Sequence, residues 1–388
     1  MRAVLIVAAL ATATSPLRAQ ERLSGIRVSG LPAVNYNSDE GFGYGIVAGI
    51  YDHGDGTRDP YRWAVEPLLF FTTGGHTTLR AFVDIPYLLP TLRLSVLAAL
   101  DRDCCSPYFG FGNASPYDPT LASPDSGPNP YTYRRNRVTG SVDVQWRPGG
   151  PVRLLGGVAA YRNIADSRGG NTQFALDSVA GVFPAADAAT TTVGLKVGIV
   201  FDSRDQERDP SRGIWADALV WQGLTALGSA TSFTRVTGTV RGYAPLTSWL
   251  RVAARVLGES VYGTMPVTML GDIGTAFGDL QGFGGEGTIR GVLRNRLLDY
   301  RRALANVELR LRGSAFQLLH QQFRPGAVLF YDVGRVWGRG EALRLTNLVW
   351  GVGGGGRLTW GEAFIIAADV GYGREAGTQI YLGLGQMF

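Results

Sequence analysis

From about residue 26 onward the chain alternates apolar and polar residues with a period of two, over segments of roughly 10–14 residues. Val138, Val142, Val144 and Trp146 share one face, and Arg137, Thr139, Ser141, Asp143 and Gln145 the other. Leu195, Val197, Ile199 and Phe201 alternate with Gly194, Lys196, Gly198 and Asp202. Val252, Ala254 and Val256 alternate with Arg251, Ala253 and Arg255, and Val307, Leu309 and Leu311 with Asn306, Glu308 and Arg310. Successive side chains of a strand point to opposite faces, so each segment carries one apolar and one polar stripe. Soluble sandwiches alternate too. Length separates the two cases, because soluble strands average about 5–6 residues, whereas a tilted strand crossing a bilayer needs about 9–11. Charges also stand in mid-segment (Arg80, Asp84, Lys196, Arg251, Glu308), which suits a wet lumen. Aromatics gather at segment ends (Tyr131, Tyr133, Trp146, Tyr161, Trp221, Trp249, Trp337, Trp360), as an interfacial girdle requires.

The expectation is an all-β fold, a closed antiparallel transmembrane β-barrel of about sixteen strands. The spans lie near 26–37, 41–52, 61–72, 76–86, 91–103, 133–146, 152–163, 190–202, 212–223, 231–244, 248–259, 302–312, 326–338, 346–360, 362–373 and 378–388. The long connections 104–132, 164–189 and 260–301 then fall on one side, the outside of the cell if the chain enters from the periplasm. Composition agrees: 18% charged residues and 45% hydrophobic residues exclude a disordered chain, and 54 glycines without a three-residue repeat exclude collagen. The net charge of +5 comes without a dense basic run, so nucleic acid is not an expected partner. Cys104 and Cys105 are adjacent, an incidental loop pair or a vicinal disulfide, and form no zinc site.

Arg2, the apolar run Ala3 to Leu10 and Leu17-Arg18-Ala19 describe a secretory signal peptide over 1–19. Residues 20–388 are then the barrel, with no separate periplasmic domain expected. The implied location is the outer membrane of a Gram-negative-type bacterium, with its lipids as the first partner.

Four segments go beyond a generic porin. They are Phe201-Asp202-Ser203-Arg204-Asp205 with Asp209-Pro210-Ser211-Arg212-Gly213; Gly284-Gly285-Glu286-Gly287-Thr288-Ile289-Arg290-Gly291; Asn306-Val307-Glu308-Leu309-Arg310; and Phe330-Tyr331-Asp332-Val333-Gly334. In this order they resemble the bacterial surface antigen family, the BamA and TamA type of outer-membrane assembly barrel. Tyr36-Asn37-Ser38 leading to Gly41-Phe42-Gly43-Tyr44-Gly45 looks like that family's first hairpin. Tyr381, Gly383 and Phe388 resemble its C-terminal assembly signal, through which the barrel-assembly machinery would act, although Gln386 stands where an apolar residue is usual.

The resemblance implies a long extracellular loop folded into the lumen. Its Ile289-Arg290-Gly291 would be held by Asp332 and Glu308. Val292 stands where the family prefers an aromatic, which implies looser packing of the loop tip. For Asp202, Arg204, Asp205, Pro210, Arg212 and Gly213 the resemblance points to a periplasmic turn motif, and turn chemistry alone accounts for the same residues. The implied function is insertion or translocation of client proteins through a weak seam between the first and last strands. Gly25, Gly30 and Pro32 interrupt the former, and Gly383 and Gly385 thin the latter. Assembly barrels normally carry POTRA domains, so a separate periplasmic partner is one expectation. A passive or gated pore is the other, with Arg80, Arg137, Arg235, Arg251 and Arg255 favouring anions.

No catalytic constellation stands out. His53, His76 and His320 are widely spaced with no evident metal-ligand neighbours, and no Gly-x-Ser-x-Gly elbow occurs. The glycine run 351–356 lacks the lysine and helix of a phosphate loop and reads as strand. The chain is expected to be a non-enzyme without cofactor or metal.

Overall fold

A computed structural model describes residues 24–57, 61–122, 128–183, 189–207, 209–276, 278–318, 321–360 and 364–388. The expected signal peptide and His320 lie outside them. Nineteen strands form: β1 (Ile26–Asn37), β2 (Gly41–Asp52), β3 (Trp63–Thr72), β4 (His76–Leu89), β5 (Leu92–Pro107), β6 (Thr132–Gly149), β7 (Val152–Asp166), β8 (Thr190–Asp202), β9 (Gly213–Gly223), β10 (Phe233–Pro245), β11 (Leu250–Gly263), β12 (Asp272–Thr275), β13 (Gly278–Gln281), β14 (Arg301–Arg312), β15 (Phe316–Leu318), β16 (Gln321–Trp337), β17 (Val349–Trp360), β18 (Phe364–Gly373) and β19 (Gly377–Leu384). Each of the sixteen long strands pairs antiparallel with its sequence neighbours, and β1 meets β19 to close the barrel. The short β15 only extends the β14–β16 connection, and β12–β13 is a separate hairpin within the 264–300 connection.

The alternation explains the wall. Val138, Val142, Val144 and Trp146 are exposed on its outer side, while Arg137, Thr139 and Gln145 between them are buried inside. The same phase holds in β8, β11 and β14. Exposed apolar residues outside and buried polar ones inside are the pattern of a barrel wall that faces an apolar medium and encloses a polar interior.

The long connections 108–131, 167–189 and 264–300 follow β5, β7 and β11 and so share one rim. They bring an apolar cap of Tyr108, Phe174, Phe183, Met265, Met269, Leu270 and Leu298 against Tyr133, Trp221 and Phe233. Half of the expected aromatic girdle is therefore misplaced. Tyr131, Tyr133 and Trp221 are buried because they fall in the inward phase. Trp337 shares the outward phase of Leu329 and Tyr331 and is buried beside the 338–348 connection, its indole N–H donating to the Arg344 carbonyl (3.2 Å). Trp146 and Trp249 face outward as expected. Tyr133 stacks on Phe174 at 4.1 Å. Cys104 and Cys105 are joined in a vicinal disulfide.

Candidate functional site

Three neighbouring strands and a bare one build the centre of the barrel. The inward phase of β14 supplies Asn306, Glu308 and Arg310, that of β16 Phe330 and Asp332, and that of β18 Asp369. Between β16 and β18, the inward phase of β17 runs Gly351, Gly353 and Gly355 before Arg357. A Cβ on Gly351 would collide with the carbonyl of Arg290, and one on Gly355 with the Asp369 carboxylate. The glycine run is thus strand, and its lack of side chains is what lets a loop approach this wall.

The 264–300 connection fills that space. Positive φ angles at Gly282, Gly284 and Gly285 turn it sharply, and Thr288 Oγ1 accepts the N–H of Gly284 (2.8 Å). Ile289 and Val292 are buried with Phe283, Leu297, Leu304 and Val336, so Val292 packs tightly despite its small size. Arg290 Nε donates to Asp332 Oδ2 (2.8 Å) and Nη2 to Asp332 Oδ1 (3.1 Å). Its Nη1 lies 2.7 Å from Glu308 Oε1 and 3.0 Å from Asp369 Oδ2. The guanidinium also covers the Phe330 ring at 3.5 Å, and the Gly291 N–H donates to the Tyr381 hydroxyl (3.0 Å). One cation among three carboxylates, all shut off from solvent, is a bidentate, charge-assisted cluster.

The same connection is anchored elsewhere by arginines. Asp272 takes a short bond from Arg137, and Arg235 donates to the carbonyls of Met269 (2.8 Å) and Asp272 (3.0 Å). Arg302, paired with Glu259 of the wall at 2.8 Å, donates to the Asp272 carbonyl (3.1 Å), and Arg255 donates to the Gly287 carbonyl (2.9 Å). Of the five arginines expected to attract anions, Arg137, Arg235 and Arg255 thus hold the loop, and Arg251 reaches Asp209 at 3.4 Å. Arg80 remains exposed, on a cavity of about 750 Å³ beside the loop.

At the rim, His76 does have ligand-type neighbours, contrary to the sequence expectation: Glu40, Asp103 and His76 offer donor atoms within 4.8 Å of one another. Arg294 takes up those acceptors, 2.8 Å from Glu40 and 3.2 Å from Asp103, and His76 Nδ1 lies 3.0 Å from Glu40. Burial alone would raise the Glu40 pKa. The hydrogen bond to His76 and the charge of Arg294 outweigh it and hold the group at about 2. Glu286 goes the other way, pushed up to about 7 by desolvation and then by Asp369, Glu40 and Asp39.

At the opposite rim, Asp202 accepts from Arg204 (2.9 Å) and Arg153 (3.1 Å), and Arg204 lies 4.6 Å from the Trp215 ring centre. Asp205 accepts the N–H groups of Ser211 (2.9 Å) and Arg212 (3.3 Å). Pro210 is buried, and Gly213 has φ +108 with no room for a Cβ against the Ser203 carbonyl. Arg212 contributes its backbone, its side chain being exposed. Most of this motif is turn geometry.

The barrel closes thinly. β1 meets β19 only at Tyr36↔Leu382 and Asn37↔Tyr381, beside a Ser38 N–H to Ile380 carbonyl bond of 3.1 Å. β19 was expected to run to Phe388 and ends at Leu384. Gly385, at φ +94, turns the chain inward, and Phe388 is buried against Tyr243 and Ala253. Gln386, the departure from the apolar pattern, bonds with Arg357 (3.0 Å) and Asp209 (3.1 Å), so its polarity fits an inward position.

The Omp85 superfamily domain matches residues 108–388. The chain belongs to the Omp85 superfamily. Its fold is similar to that of BamA from Haemophilus ducreyi lacking POTRA domains 1-3, at 14% identity and a TM-score of 0.61, over 94% of this chain and 71% of that one. It is also similar to CdiB from Escherichia coli (11% identity, TM-score 0.59, 92% of this chain and 62% of that one) and to CdiB from Acinetobacter baumannii (13%, 0.52, 94% and 60%). This Omp85 chain thus spans less than two thirds of either CdiB chain. No curated protein matches it.

Among the contacts of this Omp85 barrel, sequence reasoning missed Asp369 and the arginines 294, 296 and 357, and it gave Arg255 and Asp209 other roles. Asp369 carried a legible signal, a lone acid in the inward phase of the otherwise apolar β18. Arg296 did not, because its partners Glu375 and Ser115 sit in other loops.

Proposed function

We propose that this chain is an outer-membrane barrel that assists the insertion or translocation of other polypeptides through the seam between β1 and β19. The observation that carries the reading is that seam: two matched positions in a barrel whose other strand pairs match along most of their length. β1 therefore presents most of its edge, from Ile26 to Asn35, without a partner in β19. An unsaturated edge is a template for adding an extended segment of another chain. Membership of the Omp85 superfamily and the likeness in fold to BamA and CdiB support the same class of role. The apolar outer wall supports a place in the membrane, with the long connections outside the cell and a signal peptide over 1–19 directing export.

In this reading Ile289, Arg290 and Gly291, with Glu308, Asp332 and Asp369, act as a lock that keeps the 264–300 loop in the lumen. The work is non-enzymatic: backbone edges and a movable loop do it. A passive pore is the weaker reading, because the lumen is crossed by a loop held at many points.

The test is reconstitution in lipid vesicles with an unfolded small outer-membrane β-barrel as probe. Vesicles carrying this protein should fold the probe faster than empty vesicles. A disulfide between cysteines at Tyr36 and Leu382 should abolish the gain, and reduction restore it. Equal rates in all three would refute the assembly reading.

A further inference from the structure

Residues 385–388 have a site of their own. Phe388 lies between two guanidinium groups, Arg255 at 5.0 Å and Arg310 at 5.2 Å from its ring centre, against Tyr243 and Ala253. Its carbonyl oxygen accepts from Arg310 Nη2 (2.9 Å). Gln386 Oε1 accepts from Arg357 Nε (3.0 Å), and Gln386 Nε2 donates to Asp209 (3.1 Å).

Every arginine in this site also touches the loop or the acids that hold it. Arg255 donates to the Gly287 carbonyl (2.9 Å). Arg310 donates to Glu308 Oε2 (2.8 Å), whose other oxygen faces Arg290. Arg357 donates to both oxygens of Asp369, the third acid of the Arg290 cluster. Glu308 and Asp369 are thus each shared between an arginine that holds the tail and the arginine that seats the loop.

The seam offers the tail no strand partner: the β1–β19 pairing already ends at Tyr36↔Leu382, and no bond from position 32 could resume it. Continuing the observed register sets Val34 opposite Leu384 and Pro32 opposite Gln386. Ser38 directs its N–H at β19, so Tyr36, Val34 and position 32 face the same way by strand alternation. Position 32 is proline and has no N–H to give. β19 leaves the sheet at Gly385, one residue before the pair that would lack its bond.

We infer that the inner wall formed by Tyr243, Ala253, Arg255, Arg310 and Arg357 is a binding site for the chain's own segment Gln386-Met387-Phe388, and that occupancy of this site and seating of the Arg290 loop stabilise each other. The ligand class is a short extended peptide carrying an aromatic side chain, held by cation–π contact and by arginine bonds to its carbonyl and amide groups. The coupling runs through Arg255, Arg310 and Arg357 and is reciprocal, as any equilibrium coupling must be. It requires no client and stands apart from the assembly role.

The test is hydrogen exchange of the full chain in lipid nanodiscs, followed on peptides covering 283–293. Phe388→Ala removes the ring and its cation–π contacts with Arg255 and Arg310 and should speed exchange there about tenfold. Gln386→Ala, which removes only the side-chain bonds to Arg357 and Asp209, should speed it about threefold and covers the case in which Phe388→Ala does not fold. In the other direction, Arg290→Ala should raise the maleimide labelling rate of a Met387→Cys reporter by a factor similar to that of Phe388→Ala. Exchange over 283–293 that matches wild type in both tail variants, while Arg290→Ala accelerates it, would overturn the inference. So would a Met387→Cys labelling rate indifferent to Arg290→Ala.

Discussion

The wall of β10, β11, β14 and β16 and the seam of β1 and β19 are built from the same alternating sequence and behave as opposites. In the wall, β10 and β11 match residue by residue from Phe233 to Pro245, and the inward phase is dense with paired arginines and acids. At the seam two residue pairs hold the sheet shut, and the inward phase is thin, with Gly383 and a tail that has turned away. The difference shows that backbone pairing and interior chemistry reinforce each other in this barrel. Where the ladder is full, the lumen side is used to hold the loop; where it is short, the loop adds only the bonds of Gly291 to Tyr381 and Arg294 to Asp39. Breaking the wall's interior should therefore disturb more than lengthening the seam helps.

The largest expected effect is that of Arg290→Ala. Removing the cation strips the buried Asp332 of its arginine and leaves Glu308 and Asp369 with only Arg310 and Arg357, a cost of about 3–5 kcal/mol for a broken buried ion pair. Planar-bilayer recordings should turn from small, flickering currents in the wild type to large, steady ones in the variant. A large steady wild-type current that the variant leaves unchanged would remove the loop from any gating role. Next, Gly351→Ala sets a methyl group against the Arg290 carbonyl and should cost about 1–3 kcal/mol, while Gly356→Ala, which has open space around its Cβ, should be close to neutral. Thermal unfolding of the two variants side by side reads this contrast between the faces of one strand.

A smaller gain should come from Pro32→Val, which restores a seam donor worth about 1 kcal/mol. Hydrogen exchange of β19 should slow while that of 283–293 speeds up, as the tail is drawn out of the lumen. The smallest effect is that of pH. Glu286 has its pKa raised to about 7 in the seated loop, so its stabilisation is complete below about 4.5 and fades as pH rises through 7. Glu40, held at about 2, contributes fully above about 4.5 and loses its contribution as pH falls toward 2. Protection of 283–293 should therefore peak near pH 4.5 and be weaker at pH 8, and a flat profile between pH 5 and 8 would remove Glu286 from the account.

Much of this was legible in the alternation, because a strand's phase is fixed by geometry and a barrel has only two sides. The phase of Glu308 and Asp332 already placed both inside, and the observed strands start and end within a few residues of the expected ones over most of the chain. Phase also misleads where it is ignored. Tyr133 and Trp221 looked like girdle residues by position alone and are buried because their phase is inward. The tail was misjudged because Ile380, Leu382 and Leu384 set an outward phase that Phe388 would continue, until Gly385 breaks the strand. The arginines that hold the loop come from β6, β10, β11 and β14, and spacing along a chain carries no trace of such meetings.

The vicinal disulfide has an effect that does not depend on its chemistry. Along β5 the inward residues are odd-numbered, Ser95, Asp101 and Asp103 among them; the ladder then slips between Asp103 and Ser106, and beyond it Ser106 and Tyr108 face inward. The cysteine pair occupies a half-step in the strand, a bulge that exchanges its two sides. Tyr108 owes its place in the aromatic cap to that half-step, so it is the number of residues at this point, more than the sulfur bond between them, that keeps the cap facing in. Deleting either cysteine would turn the next stretch of chain inside out, whereas reducing the bond would leave its sidedness intact.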